Sequence, residues 1–164
     1  MRFQRRPARY PSAVRLWPLV LLLVFSGDSL AGAETLELKL SAKDPASWQC
    51  RPERGSGTLQ LENRTGCYQL DARNLRPATD YALTTHSSSD PQHSAYWLAT
   101  ATSDADGTLQ IRDHWQCWGD KVWLVPTADI RGTAGDHQPD RLCRWRPSEY
   151  LFEERLLSRV MPSH

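Results

Sequence analysis

The sequence predicts an all-β fold, an antiparallel β-sandwich with disulfides and a short C-terminal helix. Three observations predict it. Apolar and polar residues alternate with period two in Thr35–Leu40, Gly57–Glu62 and Cys67–Ala72. Turn signals sit between such runs, Asn63-Arg64-Thr65-Gly66 in one place and Asp106-Gly107 in another. Four cysteines, Cys50, Cys67, Cys117 and Cys143, all lie after residue 33. An even number in an exported chain predicts a disulfide framework.

Export is expected from the first 33 residues. Arg2, Arg5, Arg6, Arg9 and Arg15 precede the apolar run Leu16–Phe25, and Ala31-Gly32-Ala33 has the small-x-small pattern of a cleavage site. The run is too short to span a bilayer, which takes about 20 residues. Residues 1–33 therefore read as a cleaved signal peptide and 34–164 as a single domain, with no membrane span once the signal is removed. The context of Arg5-Arg6 favours the general secretory route. The signal takes five basic residues and one acidic, leaving 15 basic against 18 acidic, about −3. No basic surplus remains to attract nucleic acid or anionic lipid.

The elements follow in order. Thr35–Leu40 reads as a half-buried strand ended by Asp44-Pro45, and Trp48-Gln49-Cys50 as a short second element. Gly57–Glu62 and Cys67–Ala72 form a hairpin. Leu75–Leu83 is a turn feeding a strand. Ala95–Ala101 and Thr108–Arg112 flank the Asp106-Gly107 turn. Lys121–Pro126 is more continuously apolar, so a central strand, and Pro126 ends it. Arg131–Arg141 is a polar loop. After Pro147, Ser148 is a good N-cap, acidic residues lead and basic ones follow, and Phe152, Leu156 and Val160 form one stripe. That pattern predicts a helix over about 148–161 packed on its own sheet. Four cysteines allow three pairings; the sequential one, Cys50–Cys67 with Cys117–Cys143, closes the shortest loops.

Leu75-x-Pro77-x-Thr79-x-Tyr81 resembles the L-x-P-G-T-x-Y stretch of fibronectin type III modules and other immunoglobulin-like sandwiches. The resemblance implies a tyrosine corner, in which the Tyr81 hydroxyl bonds to backbone a few residues upstream. Pro77 would set φ for the turn, and Ala78 stands where glycine is usual. The resemblance covers about nine residues closely, and residues 97–109 more loosely. Some 80 residues follow the corner, so it marks a latch inside a larger sandwich and implies no function.

Few side-chain constellations point to chemistry. His86 and His93 with Asp90, and His114 further on, have the types for copper or zinc. Loop histidines so spaced are ordinarily solvated. Thr102, Asp104, Asp106, Gly107 and Asp113 fit part of a calcium-loop template, but Thr and Asp stand at the two positions that most need Asp and Glu. Ser87, Asp90 and His93 lack the elbow that a hydrolase triad requires. Trp115 and Trp118 flank Cys117. Exposed, they would anchor a partner; packed on a disulfide, they would be core. With His86, His93, Asp136 and His137 they form the expected binding surface.

The expected function is a non-enzymatic interaction module of the bacterial envelope, periplasmic or secreted. It needs no cofactor and contacts an envelope or extracellular protein. One alternative is an inhibitor of a secreted hydrolase, a lysozyme or protease, that acts through the 131–142 loop. Another is a periplasmic copper- or zinc-handling protein that uses His86 and His93.

Overall fold

The structure, a computed structural model, describes residues 35–86, 95–115, 117–132 and 142–157. The chain divides into two compact units, Met1–Leu30 and Ala31–His164, and every described residue belongs to the second. No helix among the described residues is long and apolar enough to cross a membrane.

Eight antiparallel strands form one sheet: β1 (Thr35–Ser41), β2 (Ser56–Glu62), β3 (Cys67–Arg73), β4 (Asp80–His86), β5 (Ala95–Thr102), β6 (Leu109–His114), β7 (Lys121–Pro126) and β8 (Leu151–Glu153). Their order is β5-β4-β7-β8-β1-β2-β3-β6. The two edge strands, β5 and β6, approach each other, so the sheet nearly closes into a barrel. The expected antiparallel all-β fold thus has its eight strands in one curled sheet. Near-closure covers both edges, which would otherwise leave rows of unpaired N–H and C=O groups. Tyr96 on β5 and Trp115 just after β6 meet across this seam, ring centroids 5.3 Å apart.

Alternation explains the interior. Leu36, Leu38 and Leu40 of β1, Leu59 and Leu61 of β2, Tyr68, Leu70 and Ala72 of β3, and Leu109 and Ile111 of β6 are all buried. Tyr81 and Leu83 of β4, Val122 and Leu124 of β7, and Leu151 complete the same core. Each buried leucine contributes about 1.5–3 kcal/mol through removal from water. On β1, β2, β3 and β6 the intervening side chains are polar and reach solvent. On β4 both faces are buried from Tyr81 to His86, because a second apolar layer covers its outer face.

The corner forms as the resemblance implies. The Tyr81 hydroxyl accepts from the Arg76 N–H at 3.1 Å, and its ring is buried. Thr79 Oγ1 donates to the Pro77 carbonyl at 2.9 Å. Ala78 takes φ +48°, the left-handed conformation that explains why glycine is usual there. The turn between β5 and β6 locks onto this stretch: the Leu75 N–H donates to the Gly107 carbonyl at 2.9 Å, and Ser103 Oγ donates to the Arg76 carbonyl at 2.6 Å. Gly107 has φ +73°, and a Cβ there would lie 2.3 Å from the Leu75 oxygen. The sequence requires glycine at this position on both counts.

Two expectations change. The helix over 148–161 is replaced, as far as residue 157, by a 3₁₀ turn at Pro147–Glu149 and by β8; residues 158–161 lie outside the described residues. Ser148 caps nothing, and the turn starts from Arg146. The reason is tertiary: β8 fills the gap between β7 and β1, and pairs Trp123 with Phe152 and Ser41 with Phe152. That ladder and the burial of Leu151 and Phe152 outweigh a local helical periodicity worth a few tenths of a kcal/mol per residue. The Trp48–Cys50 element reduces to one bridge between Lys43 and Cys50.

The structure holds Cys50, Cys67, Cys117 and Cys143 unbridged, all exposed. The sequential pairing is also opposed by register. Ser41 faces Ser56 at one end of β2, the end from which Cys50 emerges, while Cys67 follows Glu62 at the other. A seven-residue strand separates them by about 20 Å.

Candidate functional site

The outer layer over β4, β7 and β8 is built from rings. Trp123 and Phe152 are cross-strand partners on β7 and β8, and their rings meet edge to face at 5.4 Å. The β1–β2 connection brings Trp48 onto Phe152 at 5.2 Å. The segment before the 3₁₀ turn brings Trp145 onto Phe152 at 6.0 Å and Trp123 at 6.1 Å. Trp48 and Trp145 stack on each other, centroids 6.2 Å apart and planes 26° apart. These two are 47% and 53% exposed, although every other large hydrophobic side chain among the described residues is at least partly covered. Lys43 Nζ lies 5.6 Å and 5.5 Å from the Trp48 and Phe152 ring centroids, within cation–π range.

Trp48 is held under strain. Its φ is +59°, a left-handed conformation that costs a bulky residue about 1–2 kcal/mol. The surroundings impose it. The Asp44 carboxylate accepts from the Ala46 and Ser47 N–H groups, both at 3.0 Å, and the Trp48 N–H donates to the Asp44 carbonyl at 2.7 Å. These bonds, the one from Ser47 foremost, hold the Asp44 carboxyl below its ordinary range. A strained, exposed aromatic is the kind of residue that functional surfaces retain.

The arm that carries Trp145 is pinned from below. Asp129 is fully buried, in the 3₁₀ turn Thr127–Asp129 that follows β7. Arg146 clasps its carboxylate in a fork, Nε to Oδ2 at 2.9 Å and Nη2 to Oδ1 at 2.7 Å. Arg146 Nη1 reaches Glu149 at 2.9 Å, and Glu149 also pairs with Arg76. The Tyr150 hydroxyl accepts from the Arg146 N–H at 3.2 Å. Its proton has two acceptors in reach, the Arg144 carbonyl at 2.7 Å and Asp129 Oδ2 at 3.0 Å. Burial first, then the neighbouring carboxylate, push this phenol up to about 12. Tyr150 is thus a second tyrosine latch, four residues after the N–H that it receives.

Glu153, buried on the face of β8 opposite Phe152, where it pairs with Leu40, accepts from the Val122 N–H at 3.1 Å. Burial raises its carboxyl above the ordinary value, and the positive charges of Lys43 and Lys121 offset part of that.

Of the residues expected at the surface, Trp115, Trp118 and His86 lie among the described residues, and each is at least partly covered. Trp115 and Trp118 are half-buried and pack onto the barrel core. Trp118 meets Tyr68 edge-on at 5.2 Å and donates Nε1–H to the Trp115 carbonyl at 2.9 Å. His86 is buried, with its ring centroid 4.2 Å from that of Trp123 and a ring nitrogen 3.0 Å from Thr84 Oγ1. It belongs to the underside of the platform. At the corner Pro77 is exposed and Thr79 half-buried. His93, Asp136 and His137 lie outside the described residues, as do Ser87 and Asp90. Asp104 serves its turn, accepting from the N–H groups of Asp106 and Thr108 at 3.0 and 2.8 Å, which leaves it unlike a calcium ligand. Among the described residues, no three His, Cys, Asp or Glu side chains gather into a metal site.

A shallow groove of about 980 Å³ runs past Lys39, Ser56, Asp71, Arg73 and Glu154. Its charges are mixed, and the Ser41 hydroxyl beside it is committed to Glu154. The platform is the more distinctive surface. The sequence does not bring Trp48, Lys43, Trp145 and Phe152 together: tryptophan abundance does not say which rings meet.

Comparison with protein-family models, curated proteins and solved structures finds no match to this chain.

Proposed function

We propose that the protein is an exported, non-enzymatic binding module of the envelope or extracellular space. Its contact surface is the platform of Trp48, Trp145, Phe152 and Lys43. The observation that carries this reading is the stacked, half-exposed Trp48–Trp145 pair on the outside of a barrel whose own core is already complete. Tryptophans are the side chains most often dominant in protein interfaces. The partner is a protein that offers an apolar side chain beside a carboxylate. Trp48 and Trp145 each spend a ring face on the other, which leaves less flat surface for a stacked sugar and suits a side chain better. Lys43 supplies the charge that a neighbouring acid would meet.

The test is capture from envelope extracts by the wild type and by a folded W48A/W145A variant. A partner held by the first and lost, or weakened roughly 30-fold or more, by the second supports the reading; 30-fold corresponds to a hot spot of about 2 kcal/mol. Equal capture by both proteins overturns it.

A second reading, inhibition of a secreted lysozyme or protease through the 131–142 segment, is favoured by one observation. The segment's two ends are held together next to the platform, by the Ile130–Leu142 bridge and by the Cys143 N–H donating to the Asp129 carbonyl at 2.8 Å. Deleting 131–142 with the fold retained should abolish inhibition. Inhibition that survives the deletion removes that segment from consideration.

A further inference from the structure

We infer that the four thiols form two cystines, Cys67–Cys117 and Cys50–Cys143, one at each rim of the barrel. Three pairings are conceivable for four cysteines, and the strand register leaves one.

At the first rim, Cys67 opens β3 opposite His114, the last residue of β6. The chain then folds back over that point, because the Trp115 N–H donates to the Gly66 carbonyl at 2.8 Å. Trp118 packs on Tyr68, the neighbour of Cys67. Cys117 lies between these two tethered tryptophans, and two residues span at most about 7 Å. Cys67 and Cys117 are therefore both confined to the same corner.

At the second rim, Cys50 bridges Lys43, just beyond the Ser41–Phe152 pair. Cys143 is tied to Asp129, three residues beyond the end of β7. Each stands two residues from a platform tryptophan, Trp48 or Trp145, and those rings stack on each other and on Phe152.

Both other pairings cross the barrel. They would join Cys50 or Cys143 to Cys67 or Cys117, over a strand length of about 20 Å. A disulfide tolerates Cα atoms no more than about 7 Å apart. Exposure of all four thiols at the surface leaves each open to exchange. In each bridge two thiols lose two protons and two electrons, and a disulfide oxidant such as oxidised glutathione accepts them, its S–S bond breaking to give two thiols. The Cys50–Cys143 bridge joins the two arms that carry Trp48 and Trp145, so oxidation sets the shape of the platform. Only that consequence rests on the binding reading; the pairing itself does not.

The test equilibrates the purified protein with excess oxidised glutathione, alkylates remaining thiols, digests without reduction and maps the linked peptides by mass spectrometry. The expected product is lighter than the reduced protein by four hydrogens and gives the 67–117 and 50–143 linked peptides alone. Cys50→Ser should leave Cys143 without an internal bridge, carried as a glutathione adduct, and the 67–117 linked peptide intact. Either crossed pairing, four alkylated thiols, or glutathione adducts without internal bridges would overturn the inference. A single bridge overturns the half that is missing. None of these readouts depends on whether the platform binds a partner.

Discussion

Replacing Tyr150 by Phe tests the second latch directly. The ring is fully buried, so the substitution keeps its packing and removes one oxygen. Two hydrogen bonds go with it, the one received from the Arg146 N–H and the one donated to Arg144 or Asp129. Each is worth about 1 kcal/mol net, and the stranded N–H adds to the cost. Asp129 keeps both arms of the Arg146 fork, so no buried charge is left unpaired and the larger penalty of a broken ion pair does not apply. The expected loss is about 2–3 kcal/mol. For a domain of about 130 residues, 1 kcal/mol moves the melting temperature by about 4 °C, so Tm should fall by about 8–12 °C. Tyr81→Phe is the internal control. Its hydroxyl accepts one hydrogen bond, from the Arg76 N–H, so it should cost about 1 kcal/mol and about 4 °C. Circular dichroism melts and urea titrations at fixed redox state measure both. A Tyr150→Phe loss no larger than that of Tyr81→Phe refutes the account of the latch.

Three further outcomes are expected. Gly107→Ala should cost about 2 kcal/mol or more, because its φ is positive and the new Cβ meets the Leu75 oxygen; an unchanged urea midpoint would show that the turn can shift freely. Leu70→Ala, at a fully buried site, should lose about 2–5 kcal/mol in the same titration. Glu153 makes stability depend on pH. Its folded-state value is raised by burial above 4.5, so the folded protein holds this proton more tightly than the unfolded chain does. The stabilisation is complete below pH 4.5 and is lost as pH rises through the folded-state value. Glu153→Gln keeps an acceptor for Val122 and should lose less stability over that range; parallel pH profiles for the two proteins would contradict the assignment.

The strands were legible wherever one face is buried and the other wet. Thr35–Ser41, Ser56–Glu62 and Cys67–Arg73 all come within a residue or two of the alternating runs. The corner was legible because a short motif fixes both a turn and a side-chain bond, and Tyr81 finds its N–H within five residues. Closure of the sheet was not legible, since period two looks the same in a sandwich and in a barrel. Nor was β8: Phe152, Leu156 and Val160 satisfy a helical stripe, and only the gap between β1 and β7 makes Leu151–Glu153 extended. The platform was hidden for a related reason. Trp48 and Trp145 meet because β8 pairs with β1, and nothing local to either residue records that pairing. Asp129 and Arg146 show the same limit, as an ion pair between a buried carboxylate and a half-buried guanidinium that belong to separate turns.

The position of β8 also says when the fold can exist. Ser41 and Glu154, bonded across the β1–β8 junction, are 113 residues apart in sequence. Until that final strand arrives, β1 and β7 are two raw edges facing an empty lane, each able to pair with another chain. The barrel cannot be completed from its first half as the chain emerges; it closes last, at the place where its beginning meets its end. Long-range closure of this kind is slow to nucleate. It favours a chain kept unpaired until synthesis of the whole is finished, and it makes strand insertion by a neighbouring copy the natural route to misassembly.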